Sequence, residues 1–297
     1  MKITSKFIKQ IYNDKVRLTK EFYFLGLINS TRKGTLSFID DNQFIQELNN
    51  NKSVSAVFVK KELIDKILRD DIEYIISDDP RYDFYDILNK SGEFFYEKKP
   101  SEISNSATIH ETAYVSVFNV KIGDQTVIGP NVTILPDVEI GNDCVISPGV
   151  VIGSEGFEYK KTTKGILSVR HDGKVMILNS VHVGANTCID KGFSYRDTII
   201  GDNTKIDNLV HIAHGVQVGK NNFIIACSMI AGSVSIEDNV WVGPNSSLVP
   251  QLSISNNSFI SIGSVVTKDV KEKEHVTGNF AIPHKKFLKS FVRFKED

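Results

Sequence analysis

The chain has 297 residues, of which 41% are apolar and 24% charged, and its formal net charge is −1 at pH 7. This composition is ordinary for a soluble protein with one large or two smaller domains. The balanced charge provides no field that would attract nucleic acid or an anionic membrane. The amino terminus lacks the apolar stretch of a signal peptide, and no segment has the roughly 20 apolar residues of a spanning helix. We therefore expect a cytoplasmic protein that does not act on nucleic acid.

The first hundred residues predict a small α/β domain. They contain three of the chain's 20 glycines and the remainder contains 17, which places a domain boundary near Pro100. Asp79 and Pro80 are a typical cap and first residue of a helix. Hydrophobic patterns predict strands over residues 54–59 and 73–76, and helices over residues 61–69 and 80–88.

Beyond residue 100, an aliphatic side chain recurs at every sixth position. The longest unbroken run has twelve members: Ile200, Ile206, Ile212, Val218, Ile224, Ile230, Ile236, Val242, Leu248, Ile254, Ile260 and Val266. Twelve earlier positions continue the register in shorter blocks. A period of six matches neither a helix nor a hairpin sheet, and it indicates one strand with one corner per repeat. Three repeats close a coil, so 24 strands predict a parallel β-helix of about eight coils, whose hand the period leaves open.

Two segments interrupt this six-residue repeat. Residues 154–176 form a polar and aromatic insertion, and residues 190–197 shorten the step from Ile189 to Ile200 to 11 residues. Loops that leave a rigid solenoid commonly carry its binding site. We expect a ligand there, although a tolerated surface insertion is the alternative.

A histidine and a glycine fall at the same corner, one coil apart. Because Ile212 points inward, His211 faces outward and His214 lies at the corner, with Gly232 18 residues later. Gln251 lies one position past the following coil. A neutral imidazole can deprotonate an attacking amine, and a backbone N–H without an obstructing side chain can stabilise an oxyanion. This wall suits acyl transfer from a thioester to an amine; the alternative is a solvated surface histidine.

Several motifs resemble the UDP-3-O-acylglucosamine N-acyltransferase family of lipid A synthesis. They are residues 189–233, which contain the IAH motif, VIGSEGFEY at residues 151–159, and KGTLSFIDDNQFIQEL at residues 33–48, followed by SVSAVFVK. The resemblance implies a left-handed β-helix, which works as a homotrimer with the acyl site between subunits. It makes His214 the general base and assigns the oxyanion contact to the backbone N–H of Gly232.

The resemblance also divides the chain into three parts. Residues 1–100 become a nucleotide-binding domain of the uridine type, and residues 101–267 the acyltransferase β-helix with its insertion at 154–176. Residues 268–297 become a partly helical tail.

By the same resemblance, Phe38, Asp41 and Phe44 hold the nucleobase. The family usually has Asn and Tyr at the last two positions, and Asp lacks the amide donor. Uracil and thymine therefore both remain candidates for the base. The alternative is that the two aromatic rings belong to the core of the domain.

The insertion and the shortened step would surround the sugar, and we expect contacts from Phe157, Tyr159, His171, Asp190 and Lys191.

Pro250 and Gln251 would line the groove for the acyl carrier. The family has a second histidine there, whereas Gln251 can orient a thioester but cannot titrate.

The end of the chain favours coenzyme A as the carrier. Residues 264–290 resemble the closing segment of CoA-dependent amino-sugar acetyltransferases, and only 14 residues follow Pro283. The lipid A enzymes have a longer helical tail that helps to hold acyl carrier protein. We therefore expect an N-acyltransferase that moves an acyl group from acyl-CoA to a dTDP- or UDP-linked amino sugar for surface polysaccharide. It would need no permanently bound cofactor and no metal.

Three other functions remain open. The first is the lipid A acyltransferase itself, with acyl carrier protein as donor. The second is a zinc lyase like the γ-class carbonic anhydrases, which needs three imidazoles. His211 and His214 are available, but no histidine lies one coil from either. The third is a non-catalytic scaffold. The cysteines Cys144, Cys188 and Cys227 lack CxxC spacing and predict neither a disulfide framework nor a zinc site.

Overall fold

The computed structural model describes residues 2–12, 18–193, 196–278, 281 and 283–286. Of the predicted C-terminal tail, residues 279–280, 282 and 287–297 lie outside this part of the chain. None of the described helices is long and apolar enough to cross a membrane.

The N-terminal part is a five-stranded sheet with helices packed against it. Its strands lie in chain order: β1 (Lys2–Thr4), β2 (Phe22–Leu25), β3 (Thr35–Ile39), β4 (Val54–Val59) and β5 (Glu73–Ile76). Its helices are α1 (Ser5–Tyr12), α2 (Ile45–Asn50) and α3 (Pro80–Phe95), with 3-10 helices at Asn42–Phe44 and Lys61–Lys66. β1 runs antiparallel to β2, and the other neighbours are parallel. All six residues of β4 are buried, as expected for a strand covered on both faces.

Both predicted strands of this part agree with the structure, whereas the helices differ in detail. Residues 61–69 were expected to be helical but form a 3-10 helix that ends at Lys66, without a side-chain cap at its start. α3 starts as predicted, with Asp79 accepting a hydrogen bond from Tyr82 N at 3.0 Å. It continues to Phe95, beyond the predicted end at residue 88. Its buried face includes the small residues Ser91 and Gly92, which a hydrophobic pattern does not count as apolar.

The second part is the left-handed parallel β-helix that the sequence predicted. Three parallel sheets of nine, eight and eight strands form its faces. The nine-stranded face contains β7 (Thr108–Ile109), β10 (Val127–Ile128), β13 (Val145–Ile146), β18 (His182–Val183), β21 (Lys205–Ile206), β24 (Phe223–Ile224), β27 (Trp241–Val242), β30 (Phe259–Ile260) and β32 (His275–Val276). The face bearing His211 contains β8 (Tyr114–Val115), β11 (Thr133–Ile134), β14 (Val151–Ser154), β19 (Cys188–Asp190), β22 (His211–Ile212), β25 (Met229–Ile230), β28 (Ser247–Leu248) and β31 (Val265–Val266). The third face contains β6 (Glu102–Ile103), β9 (Val120–Ile122), β12 (Val138–Ile140), β17 (Val175–Ile177), β20 (Thr198–Ile200), β23 (Gln217–Val218), β26 (Ser235–Ile236) and β29 (Ser253–Ile254).

The six-residue register forms the core of the β-helix. Each of the twelve aliphatic residues from Ile200 to Val266 is at most 6% exposed. Residues one coil apart pair in register, as Ile212 does with Ile230. The structure adds two steps that the period missed: Val270 pairs with Ile254 only four residues after Val266, and Val276 pairs with Ile260.

The insertion forms an antiparallel hairpin of β15 (Tyr159–Thr162) and β16 (Gly165–Ser168). The side chain of Asn89 on α3 donates to Ser168 O at 2.8 Å and accepts from Arg170 N at 2.8 Å. Val169 and Phe193 belong to the same apolar cluster as Tyr85 on α3. The insertion and the shortened coil therefore join the α/β part to the β-helix beside His214.

Candidate active site

Gly232 lies against the imidazole of His214, one coil further along the chain. Ser233 N donates to His214 O at 2.9 Å, and Gln251 N donates to Gly232 O at 3.0 Å. A Cβ at position 232 would lie only 2.6 Å from both Cε1 and Nε2 of the histidine. Within the described part of the chain, the Gly232 N–H has no acceptor. The structure thus brings together the base and the oxyanion donor that the 18-residue spacing predicted, although their roles stay predictions.

Burial keeps His214 in its neutral form. Its side chain is 17% exposed, and among the described residues its Nδ1 has no hydrogen-bond partner. Desolvation lowers the pKa of His214 below the ordinary value, and the carboxylates of Glu158 and Asp190 oppose that shift. The Glu158 carboxylate lies 3.7 Å from Nε2. A neutral imidazole near pH 7 is the form that a general base requires.

His171 packs edge-to-face against His214, with ring centroids 5.4 Å apart. Its side chain is fully buried, and neither ring nitrogen has a hydrogen-bond partner among the described residues, although Nδ1 lies 4.0 Å from a Glu155 carboxylate oxygen. Burial lowers the pKa of His171, as does the neighbouring His214. A Cβ on Gly156 would lie 3.0 Å from atoms of both rings. His171 therefore packs against the His214 ring rather than presenting a polar group to the open pocket.

A pocket of about 610 Å³ opens beside His214. Its lining comes from the α/β part, the insertion and the β-helix: Leu27, Asn29, Tyr85, Glu158, Lys160, Phe193, Arg196, His214, Gln217, Ser233, Ser235, Gln251 and Ser253. The Arg196 guanidinium is held by Gly215 O at 2.6 Å and by Ser235 Oγ at 2.8 Å. Lys160 pairs with Glu158 and lies over the ring of Tyr85. The pocket therefore presents both charges and hydrogen-bonding groups next to the imidazole.

Sequence reasoning missed several of these pocket residues. Glu158 and Lys160 lie within the predicted insertion, and Arg196 lies within the predicted short step. The interruptions of the repeat therefore indicated which segments reach the pocket. Nothing in the sequence indicated which residues of those segments line it. Tyr85 belongs to α3, and no pattern in the sequence links that helix to the β-helix.

The predicted sugar residues divide into two groups. Phe157 and Tyr159 are 88% and 50% exposed and contact each other, with ring centroids 4.8 Å apart. Neither lines the pocket that holds His214. Asp190 and Lys191 are buried, and Lys191 Nζ lies 3.7 Å from a Glu155 carboxylate oxygen.

The predicted nucleotide residues lie apart from the pocket and do not share a cluster. Phe38 packs on Phe84 and Tyr85, at centroid distances of 5.1 and 5.6 Å. Phe44 packs partly buried in the cluster on the opposite face of the sheet. Asp41 is exposed, and its carboxylate accepts from Gln43 N at the start of a 3-10 helix. Nucleobase binding by these three residues stays a prediction.

The predicted carrier groove begins at a corner of the β-helix. Pro250 and Gln251 are both exposed, and Gln251 lines the pocket two coils beyond His214. A long thioester arm lying over this corner would reach the wall formed by His214 and Gly232.

Among the described residues, one group offers three potential metal-ligand atoms within 4.8 Å of one another. Its members are Cys188, Asp190 and His211. This group contains a single imidazole, so it does not reproduce the three-imidazole site of a γ-class carbonic anhydrase.

Comparison with known proteins identifies the class of the β-helix. The family of bacterial transferase hexapeptide repeats matches residues 119–154 and 197–232. Among solved structures, the UDP-N-acetylglucosamine acyltransferase from Campylobacter jejuni has a similar fold, with a TM-score of 0.51 and 22% identity. That match covers 66% of this chain and 81% of the other. The protein is therefore a hexapeptide-repeat β-helix of the kind found in acyltransferases.

The particular resemblance is to UDP-3-O-acylglucosamine N-acyltransferases, as the sequence motifs predicted. The enzyme from Methylobacterium nodulans is 40% identical over 156 residues, covering 52% of this chain and 44% of that protein. The enzyme from Wolinella succinogenes is 37% identical, covering 54% of this chain and 51% of that protein. This chain thus matches about half the length of these relatives.

The expected function needs correction. The sequence favoured acyl-CoA as donor and a dTDP- or UDP-linked amino sugar for surface polysaccharide as acceptor. This expectation is wrong, because the relatives are named as N-acyltransferases of UDP-3-O-acylglucosamine. The prediction of coenzyme A came from the sequence at the end of the chain. The motifs around the site support the alternative, the lipid A acyltransferase.

Proposed function

We propose that the protein transfers an acyl group from an acyl carrier protein thioester to the amine of a UDP-3-O-acylglucosamine, as in lipid A synthesis. The observation that carries this proposal is the contact of Gly232 with His214, whose side chain lines the pocket. The similarity to enzymes named for this acceptor supports the choice of substrate.

The geometry supports a direct transfer. His214 Nε2 takes a proton from the amine as the nitrogen attacks the thioester carbonyl carbon. The free N–H of Gly232 donates to the oxyanion of the tetrahedral intermediate. Collapse of the intermediate breaks the C–S bond, and the imidazolium returns its proton to the leaving thiolate. The low pKa of His214 suits both steps, because its protonated form is a ready acid.

The other predicted contacts belong to the same proposal. Gln251 and Pro250 would guide the carrier arm, and Asp190 with Lys191 would border the sugar at the base of the insertion. The α/β part would hold the nucleotide, and Tyr85 is the aromatic ring by which it reaches the pocket. We also expect a homotrimer in the cytoplasm.

The test is an acyl-transfer assay on the purified full chain. We expect N-acylated product, detected by mass spectrometry, from hydroxyacyl carrier protein and UDP-3-O-hydroxyacylglucosamine. His214→Ala should retain less than about a tenth of wild-type turnover, because general-base catalysis contributes typically 10²- to 10⁴-fold. His110→Ala, at an exposed histidine of the first coil, is the matched control and should retain full activity. Absence of product, or equal turnover in the two variants, would refute the proposal.

A further inference from the structure

A second group of reactive side chains lies on the face of the β-helix that bears His211. Cys188 and Asp190 are two residues apart on β19, so their side chains project from the same side of the strand. His211 stands opposite Cys188 on the neighbouring strand β22. Neither Cys188 nor His211 has a part in the proposed acyl transfer.

The distances within this group are near those between the ligands of one tetrahedral metal ion, with the sulfur and the imidazole lying against different oxygens of Asp190. Cys188 Sγ lies 3.6 Å from Asp190 Oδ1, and His211 Nε2 lies 3.6 Å from Asp190 Oδ2. Ligands bound to zinc at about 2.3 Å for sulfur and 2.0–2.2 Å for nitrogen and oxygen are roughly 3.4–3.6 Å apart at tetrahedral angles. The three ligand atoms all lie within 4.8 Å of one another, so small side-chain rotations complete the site.

The Asp190 carboxylate is buried and already oriented, and its Oδ1 accepts a hydrogen bond from the Cys188 thiol. Only 5% of the residue is exposed, and Ser154 Oγ donates to Oδ1 at 2.7 Å. His211 Nε2, at 3.6 Å, is too far for a good hydrogen bond. A buried carboxylate needs compensation by a cation or by further donors, and a hydrogen bond from outside the ligand set is typical support for a metal ligand.

The donor set selects the class of metal. One thiol sulfur, one imidazole nitrogen and one carboxylate oxygen suit zinc or another late divalent transition metal, whereas magnesium and calcium prefer oxygen alone. A metal that binds the Cys188 sulfur would displace the thiol proton. His211 is half-exposed and leaves one side of the group open to solvent.

We propose that Cys188, Asp190 and His211 form a binding site for zinc or a similar divalent transition metal, with the fourth position taken by water. The site differs in composition from the three-imidazole centre considered from the sequence. It shares Asp190 with the expected border of the sugar, but zinc binding needs neither substrate nor carrier and can be measured apart from the acyl transfer.

The first experiment measures zinc binding by the full-length protein after it has been freed of metal with a chelator. Titration with zinc sulfate alone should show about one ion per chain, and both Cys188→Ser and His211→Gln should weaken binding at least about tenfold. The matched controls are Cys227→Ser, at an exposed thiol, and His182→Gln, at an exposed histidine on β18. These controls should bind zinc like the wild type.

A second measurement identifies the sulfur ligand directly. Cobalt chloride added to the metal-free protein should give a thiolate-to-cobalt charge-transfer band, which Cys188→Ser abolishes and Cys227→Ser keeps. Circular dichroism of each variant checks that the β-helix is intact, and the exposed His211→Gln tests the site should Cys188→Ser fail to fold. Failure of the wild type to bind zinc, or unchanged binding in both site variants, would overturn the proposal.

Discussion

The imidazole of His214 occupies the space into which a side chain on Gly232 would extend. A Cβ there would lie 2.6 Å from two of its ring atoms, far inside van der Waals contact. The backbone has little freedom to relieve such a contact, because hydrogen bonds of 2.9 and 3.0 Å tie Ser233 and Gln251 to the coils before them. The position of the His214 ring and the absence of a side chain one coil away therefore depend on each other.

The first prediction concerns this contact. Gly232→Ala should displace the His214 ring and crowd the free N–H, and we expect kcat to fall at least about tenfold, since loss of an oxyanion donor costs about 10²–10³ in rate. Steady-state kinetics with the acyl carrier protein substrate would measure it. The matched control is Gly278→Ala, because no described atom lies within 4 Å of a Cβ at that position. An unchanged kcat in Gly232→Ala would contradict the assignment.

The second prediction concerns the acid limb of the pH–rate profile. Activity should fall as His214 becomes protonated, and because its pKa lies below 6.5 the fall should come at a lower pH than for an ordinary histidine. The Glu158 carboxylate raises that pKa, so Glu158→Gln should move the acid limb of kcat/KM to still lower pH.

Glu111→Gln, at an exposed glutamate in the first coil, is the control for this shift. It should leave the acid limb in place. A displacement of the limb to higher pH in Glu158→Gln would contradict the electrostatic role of that carboxylate, whatever the change in absolute rate.

The third prediction links the buried histidines to stability. The folded-state pKa values of His171 and His214 are lowered, so below pH 6.5 the unfolded chain binds more protons at these sites than the folded chain does. The free energy of unfolding should therefore decrease as the pH falls from 6.5 through the folded pKa values. His171→Gln removes one of these groups and should reduce this decrease.

Urea unfolding at about pH 7.5 and about pH 5 measures the difference. The comparison uses the change between the two pH values, since a buried substitution also alters stability at both. Exposed His110→Gln should show the wild-type pH dependence. The same pH dependence in His171→Gln as in the wild type would show that His171 carries no such linkage.

The sequence predicts the β-helix well because a solenoid converts spacing along the chain into distance in space. Ile212 pairs with Ile230, and the same offset places Gly232 against His214. The rest of the pocket depends on how the insertion and the α/β part pack against the β-helix. No repeat in the sequence predicts that packing. Glu158 and Tyr85 reach the pocket in this way. The same docking covers His171, which sequence reasoning placed beside the sugar.

One corner of the β-helix carries a residue that does not suit its backbone conformation. Equivalent corner residues have positive φ, and the commonest non-glycine residue among them is Asn, which tolerates this conformation. Leu209 has φ of 58° at such a corner, and Asn186 and Cys227 occupy the corresponding corner in the adjacent coils. A β-carbon makes the left-handed conformation cost roughly 1–2 kcal/mol. The side chain of Leu209 is largely exposed, so little packing offsets this strain.

The last prediction is therefore that Leu209→Asn stabilises the protein. The free energy of unfolding should rise by roughly 0.5–1 kcal/mol, because asparagine relieves part of the strain at positive φ and little apolar contact is lost. Chemical denaturation measures the change. Val117→Asn is the control, since Val117 is 81% exposed and does not have positive φ. A gain no larger in Leu209→Asn than in Val117→Asn would show that removal of an exposed apolar group, rather than relief of backbone strain, determines the effect.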